Sequence, residues 1–168
     1  MTETFKVALV DDHVLLRNGL ASLVDSFVGY EVLFQADHGK EFIEKVQHIG
    51  LPDIVLLDIN MPVMDGIEAT KRIKAISPTT AVLILSAYDN DEFVFVLLEA
   101  GAAGYLLKDV SGQDIINAVR AIRRGESVLH PVIARKVMNR FFPVTNGKKE
   151  VEKILGEREL EVLKLAGN

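Results

Sequence analysis

Apolar residues fall into five short, mostly continuous runs, at positions 7–10, 32–34, 54–57, 81–85 and 105–107. Runs of this length without polar alternation predict strands covered on both faces, the hallmark of a parallel sheet. Between them the apolar positions recur at helical spacing. Leu16, Leu20, Leu23 and Phe27 form one stripe, Phe42, Ile43 and Val46 a second, Ile67, Thr70, Ile73 and Ile76 a third, and Ile115, Val119 and Ile122 a last one. Asp65 and Ser111 stand where helix N-caps belong, and Gly101 and Gly125 where helices stop. Five β/α repeats of about 25 residues predict a doubly wound α/β domain with right-handed crossovers.

The segment 93–98 breaks the pattern by being apolar without interruption. A helix there has a stripe through Val94, Leu97, Leu98 and Gly101, leaving Phe95 and Val96 partly off it. A wide core-facing surface is the expectation, with a partner-binding patch as the alternative. After Gly125 the repeat ends. Pro131 can open a helix running through Phe142, residues 146–149 read as a solvated linker, and a new helical pattern begins at Leu155. The expected division is therefore 1–127 for the α/β domain, 128–154 for a linker carrying a helix, and 155–168 for an incomplete third segment.

Charge separates body from tail. Residues 1–130 carry 11 Lys/Arg against 19 Asp/Glu, a difference of -8, whereas residues 131–168 carry 8 against 5, a difference of +3. An acidic body disfavours phosphate backbones, so a nucleic-acid role is expected only of the tail or of something beyond it. The chain has no cysteine, which excludes thiolate metal sites and thiol nucleophiles and fits a reducing compartment. No basic leader precedes the first apolar run, and no stretch approaches the roughly 20 apolar residues of a membrane span. A cytoplasmic protein without membrane contact is the expectation.

The chemistry lies at the strand ends. Asp11 and Asp12 close the first run, Asp58 the third, Ser86 the fourth and Lys108 the fifth. In open α/β sheets ligands sit beyond the carboxyl ends of strands, so these residues are expected to converge in one pocket. Carboxylates gathered there repel one another unless a cation intervenes, and oxygen donors without cysteine or clustered histidine favour Mg²⁺. Asp58 could then act as a nucleophile toward a phosphoryl donor, forming an acyl phosphate, with Lys108 as a second positive clamp and Ser86 as a hydroxyl donor. The remaining histidines, His38, His48 and His130, read as scattered surface residues. His13 reads as a first-turn helix residue near the pocket, Met61 and Met64 as loop packing, and Arg123 and Arg124 as charges at a helix C-terminus.

The stretches Val10-Asp11-Asp12-His13, Leu57-Asp58-Ile59-Asn60-Met61-Pro62-Val63-Met64-Asp65-Gly66, Leu85-Ser86-Ala87 and Gly101 through Asp109 closely resemble the receiver domain of two-component response regulators over about residues 5–125. The Asp-Asp-His and Gly-Tyr-Leu-Leu-Lys-Asp elements are most similar to the NarL/FixJ subgroup, whose members carry a LuxR-type helix-turn-helix output domain. The resemblance implies a flavodoxin-like five-stranded sheet of order 2-1-3-4-5. It implies Asp58 as phosphoacceptor, Asp12 as a direct Mg²⁺ ligand, Asp11 acting largely through water, and the Asn60 backbone carbonyl completing the ligands. It further implies Ser86 and Tyr105 as a switch pair, the ring following the hydroxyl inward, Lys108 as partner of a phosphoryl oxygen, and Pro62 and Gly66 as shapers of the loop. Asn60 and Tyr88 occupy positions that in the family influence how long the phosphoryl group survives.

Residues 155–167 resemble the opening helix of a LuxR-type output domain, with Gly156 where Ser or Thr usually caps. No recognition helix follows, so promoter DNA is expected as a partner only through a complete output domain. A truncated chain is the preferred explanation, ahead of a stand-alone receiver. The expected partners are a sensor histidine kinase and, on phosphorylation, a second copy docked through the first and last helices of the receiver. Two other classes compete. A haloacid-dehalogenase-like phosphatase also uses an Asp nucleophile with Mg²⁺, but it needs an acid/base two residues on, where Asn60 cannot protonate a leaving group. A flavin or nucleotide module needs a glycine-rich phosphate loop, and none follows Val10. The reading is a phosphoryl-accepting switch, not a multiple-turnover enzyme.

Overall fold

The computed structural model describes residues 3–87 and 89–142. In chain order the elements are β1 (Phe5–Val10), α1 (Val14–Asp25), β2 (Tyr30–Ala36), α2 (Gly39–Ile49), β3 (Ile54–Leu57), α3 (Gly66–Ile76), β4 (Ala81–Ser86), α4 (Asp91–Glu99), β5 (Gly104–Leu107), α5 (Gly112–Arg123), β6 (Val128–Leu129) and α6 (Pro131–Phe141). The expected parallel α/β sheet is present, in the order β2-β1-β3-β4-β5-β6. Its first five strands follow the order 2-1-3-4-5, and β6 is an addition that sequence reading did not anticipate. Two residues are too few to register as an apolar run. Val128 N–H donates to Ala103 O and His130 N–H to Tyr105 O, so the sheet runs past the expected boundary at residue 127.

Alternate strand residues serve opposite faces. Val7, Leu9, Ile54, Leu56, Leu83, Leu85 and Leu106 pack with Leu20, Ala21 and Val24 of α1 and with Ile115, Ile116, Val119 and Ile122 of α5. Ala8, Val10, Val55, Leu57, Val82, Ile84 and Tyr105 take the other positions and are buried as well. Each large apolar side chain so buried contributes about 1.5–3 kcal/mol against exposure. The sheet's central strands are therefore its best-anchored part.

Local signals explain the helix boundaries. Asp65 caps α3 by accepting from Glu68 N–H, and Ser111 caps α5 in a reciprocal box with Asp114, as expected. The expected stops Gly101 and Gly125 follow α4 and α5 in left-handed geometry. His38, read from sequence as a surface residue, caps α2 through its ring nitrogen. In α1 the buried face is Leu20, Ala21 and Val24 while Leu16 is exposed, so the stripe begins a turn later than its spacing suggested. In α4, Val94 and Leu97 are buried and Phe93, Phe95, Val96 and Leu98 are half-buried.

The chain separates into two compact units, residues 1–130 and the part from Pro131 onward, whose described portion is α6. Among the described residues no helix is long and apolar enough to cross a membrane. Tyr88, the linker at 146–149 and the segment 155–168 lie outside the described residues.

Candidate metal centre

The pocket is a consequence of topology. The chain leaves β1 toward β2 on one side and returns across β1 to β3, so the crossovers diverge between β1 and β3 and open a crevice at their carboxyl ends. Val10 pairs with Leu57 and Ser86 with Leu107, which levels the strand ends. Asp11, Asp58 and Lys108 each follow their strand by one residue. Their backbones are locked: Asp11 N–H donates to Ala36 O at 3.1 Å, Asp58 N–H to Val10 O at 3.0 Å, and Lys108 N–H to Ser86 O at 2.8 Å.

The side chains then meet. The Lys108 ammonium lies 2.8 Å from Asp11 Oδ2 and 3.4 Å from Asp58 Oδ1, with all three side chains largely buried. Asp12 is exposed at the rim, and together Asp11, Asp12, His13 and Asp58 offer donor atoms all within 4.8 Å of one another. Burial, and next the charge of Asp11, push the Asp58 carboxyl above its ordinary range, opposed by Lys108 and by the Ile59 N–H. Two buried carboxylates served by one ammonium leave unbalanced negative charge. The donor set therefore fits a hard divalent cation, with Asp11, Asp12 and Asp58 the residues that would hold it. Asn60 is exposed, two residues past Asp58.

The loop over the crevice is tightly built. Gly66 N–H donates to Ile59 O at 2.7 Å, and a Cβ on Gly66 would lie 2.4 Å from Asp58 O. Only glycine permits that approach, so its role goes beyond turn chemistry. Met61 and Met64 are buried, and Met64 fills the space above Gly39, as loop packing requires. Val63 between them holds φ at +70°.

Ser86 and Tyr105 are both fully buried, and the phenol hydrogen-bonds the Ser86 side chain. Burial pushes the Tyr105 phenol up to about 12, the hydrogen bond from Ser86 partly opposing it. The ring lies inward in this structure, with the Ser86 hydroxyl beside it.

Arg17 is the residue sequence reading missed. Its guanidinium donates to Asp11 O at 2.7 Å, to Ala36 O at 3.0 Å and to Gln35 Oε1 at 2.9 Å, and it pairs with Asp37 at 2.5 Å. It ties the ends of β1 and β2 together directly behind the carboxylates. Its spacing carries no signal of this, because its partners Asp11, Gln35, Ala36 and Asp37 all lie outside its own helix. Arg123 stands in the last turn of α5, as a helix C-terminal charge should, and both it and His130 make contacts that spacing did not reveal. Arg123 sits 5.1 Å from the Phe5 ring and 4.9 Å from the Tyr30 ring while donating to Gly29 O and Glu3 O, and His130 Nε2 lies 3.4 Å from Asp109 Oδ1.

Comparison with known proteins agrees with this geometry. Residues 7–120 match the response regulator receiver domain. The response regulator protein VraR of Staphylococcus aureus is 40% identical over 162 residues, covering 96% of this chain and 75% of that protein. A LuxR-family two-component response regulator from Aurantimonas sp. SI85-9A1 superposes with a TM-score of 0.75 at 31% identity, over 82% of this chain and 98% of that one. A receiver domain ascribed to the response regulator NarL of Mycobacterium tuberculosis gives 0.69 at 35% identity, over 74% and 99%. With its strand-end acids, its lysine and its sheet order all in place, this chain belongs to the two-component response regulators of the NarL/FixJ type.

Proposed function

We propose that the chain is a phosphorylation switch in which Asp58 accepts a phosphoryl group from a sensor histidine kinase with Mg²⁺ held by Asp11, Asp12, Asp58 and the Asn60 carbonyl. The observation that carries this is the placement of Asp58, buried at the switch point of the sheet, sharing one ammonium with a second buried carboxylate. In the transfer an Asp58 carboxylate oxygen attacks phosphorus. The P–N bond of the donor phosphohistidine breaks, its electron pair stays on the imidazole, and that ring takes up a proton. Bound Mg²⁺ supplies positive charge to the oxygens of the transferring group.

The chain's own residues do the rest. Asp11 and Asp12 hold the cation, Gly66 lets the loop backbone close against the Asp58 carbonyl, and Lys108 is the group that would exchange a carboxylate partner for a phosphoryl oxygen. Ser86 lies at the end of β4, and its hydroxyl is the group that would leave Tyr105 to donate to the same phosphoryl group. The relatives support a signalling role in place of turnover chemistry. In the complete protein the switch controls transcription through a LuxR-type output domain, in the cytoplasm where such kinases present their phosphohistidine.

Intact-mass analysis after incubation with acetyl phosphate and Mg²⁺ tests the reading. The expected result is a single acid-labile phosphoryl adduct in the wild type and none in Asp58→Ala or without Mg²⁺. An adduct that survives Asp58→Ala, or continuous release of inorganic phosphate from small monoesters, sinks it.

A further inference from the structure

Asp12 lies between two residues that Arg17 holds. Asp11 O accepts from the Arg17 guanidinium at 2.7 Å, and His13 O accepts from the Arg17 backbone N–H at 2.9 Å. On its other side Asp11 is fixed as well, because its N–H donates to Ala36 O at 3.1 Å and the same guanidinium nitrogen, Nη1, reaches that oxygen at 3.0 Å. Helix α1 starts after His13 without a side-chain cap. The turn from β1 into α1 therefore takes its shape from these bonds and from the His13 N–H bond to Asp11 Oδ1.

Arg17 is itself immobilised. Its side chain is only 11% exposed, its Nε donates to Gln35 Oε1 at 2.9 Å, and its guanidinium pairs with Asp37. Helix α2 holds those partners in turn, since Lys45 Nζ donates to Gln35 O and Asp37 N–H donates to Glu41 Oε1, both at 2.6 Å. The planar fork thus serves four oxygens from three stretches of chain at once. A lysine's compact ammonium does not reproduce that geometry.

We propose that Arg17 is a positioning residue of this pocket: by fixing the peptide that joins Asp11 to Asp12, it aims the Asp12 carboxylate. The inference rests on the metal-centre reading given under Proposed function. Asp11 and Asp58 are buried against Lys108, which orients them, whereas Asp12 at the rim takes its direction from its backbone. A ligand whose backbone is loose must be ordered when the ion binds, and that entropy is subtracted from affinity. Arg17 therefore acts on capture of the ion and not on the attack by Asp58.

The test titrates MgCl₂ alone, without a phosphoryl donor, into the full chain by calorimetry, comparing wild type with Arg17→Met, Arg17→Lys and Asp37→Ala. Arg17→Met should lower the affinity about tenfold, the scale on which residues behind metal ligands act. Charge alone predicts the opposite sign, since removing a guanidinium beside an acidic pocket strengthens cation binding. Arg17→Lys keeps the charge without the fork and should lower the affinity by more than about threefold. Asp37→Ala removes the outer ion pair but leaves both carbonyl contacts, and should stay within about twofold of wild type. At saturating Mg²⁺ all four proteins should form the acetyl phosphate adduct at similar rates. Unchanged or raised affinity in Arg17→Met overturns the role of Arg17, as does an equal loss in Asp37→Ala, which would mark general loosening of the sheet edge. Should Arg17→Met fail to fold, wild-type affinity in a folded Arg17→Lys overturns it. Wild type that binds no Mg²⁺ overturns the centre itself, a result distinct from any of these.

Discussion

Val63 holds a left-handed backbone, with φ at +70°, although it is β-branched and 73% exposed. For such a residue that conformation costs about 1–2 kcal/mol, and no buried contact of its side chain repays it. Its position between Met61 and Met64, both buried beneath the loop that covers Asp58, over-determines the geometry. Val63→Gly should therefore stabilise the protein by about 0.5–1 kcal/mol in urea unfolding, the relief being partly offset by glycine's larger unfolded-state entropy. Val63→Ala should give no such gain. Equal effects of the two substitutions would show that the backbone is not strained there.

Tyr105 carries the pH signature at the same scale. Its phenol has an unfolded value near 10 and a folded value pushed up to about 12 by burial. The folded state therefore retains the proton over a window in which the unfolded state has lost it. The stability this contributes is complete below about 10 and is lost as pH rises through about 12. Ultraviolet titration should find one of the three tyrosines ionising near the upper limit, and Tyr105→Phe should flatten the alkaline decline. A wild-type profile as flat as the variant's would contradict the assignment.

Among elements, β6 is the one whose existence depends on a neighbour's missing side chain. A Cβ on Gly104 would sit 2.7 Å from Val128 O and 2.8 Å from Leu83 Cδ1, so only glycine at the start of β5 lets β6 lie beside it. Gly104→Ala should cost about 1–3 kcal/mol through overpacking. The amides of Val128 and His130 should lose hydrogen-exchange protection first, since they carry the pairing to Ala103 and Tyr105. Uniform loss of protection across the sheet would instead indicate global destabilisation. Legibility at this scale was uneven. The four-residue run of β3 and the three-residue run of β5 announced themselves because both faces are covered, whereas the two residues of β6 had no pattern to show. The buried face of α1 was displaced because the register of a helix against a sheet is set by packing partners, and Leu16 has none beneath it.

At the scale of the whole molecule, the exposed apolar side chains of α1 are the surface feature nearest the pocket. Val14 is half-exposed and Leu15 is 88% exposed, both within three residues of Asp12. Beside them a groove lined by Leu16, Leu20, Leu23, Val110 and Ile115 separates α1 from α5. A patch of this kind at the mouth of a phosphoacceptor site suits docking of a second copy once the pocket changes charge. With Mg²⁺ and beryllium fluoride, sedimentation should show a dimer, and Leu15→Lys should prevent its formation without blocking phosphorylation. Unchanged sedimentation of the wild type would remove the dimer from the account.

The sequence by itself determined the five main strands and the helices between them, though not β6, because continuous apolar runs, helical spacing, the caps Asp65 and Ser111 and the stops at glycine are local physics acting within a few residues. It also determined the inventory of reactive groups, since Asp11, Asp12, Asp58, Ser86 and Lys108 sit at strand ends that any parallel sheet must align. Only the tertiary structure decided which groups share charge. Arg17 behind the carboxylates, His13 among them, the inward ring of Tyr105 and the pairing of His130 with Asp109 all depend on distances across the sheet. Those distances follow from strand order and close packing, which no local spacing encodes.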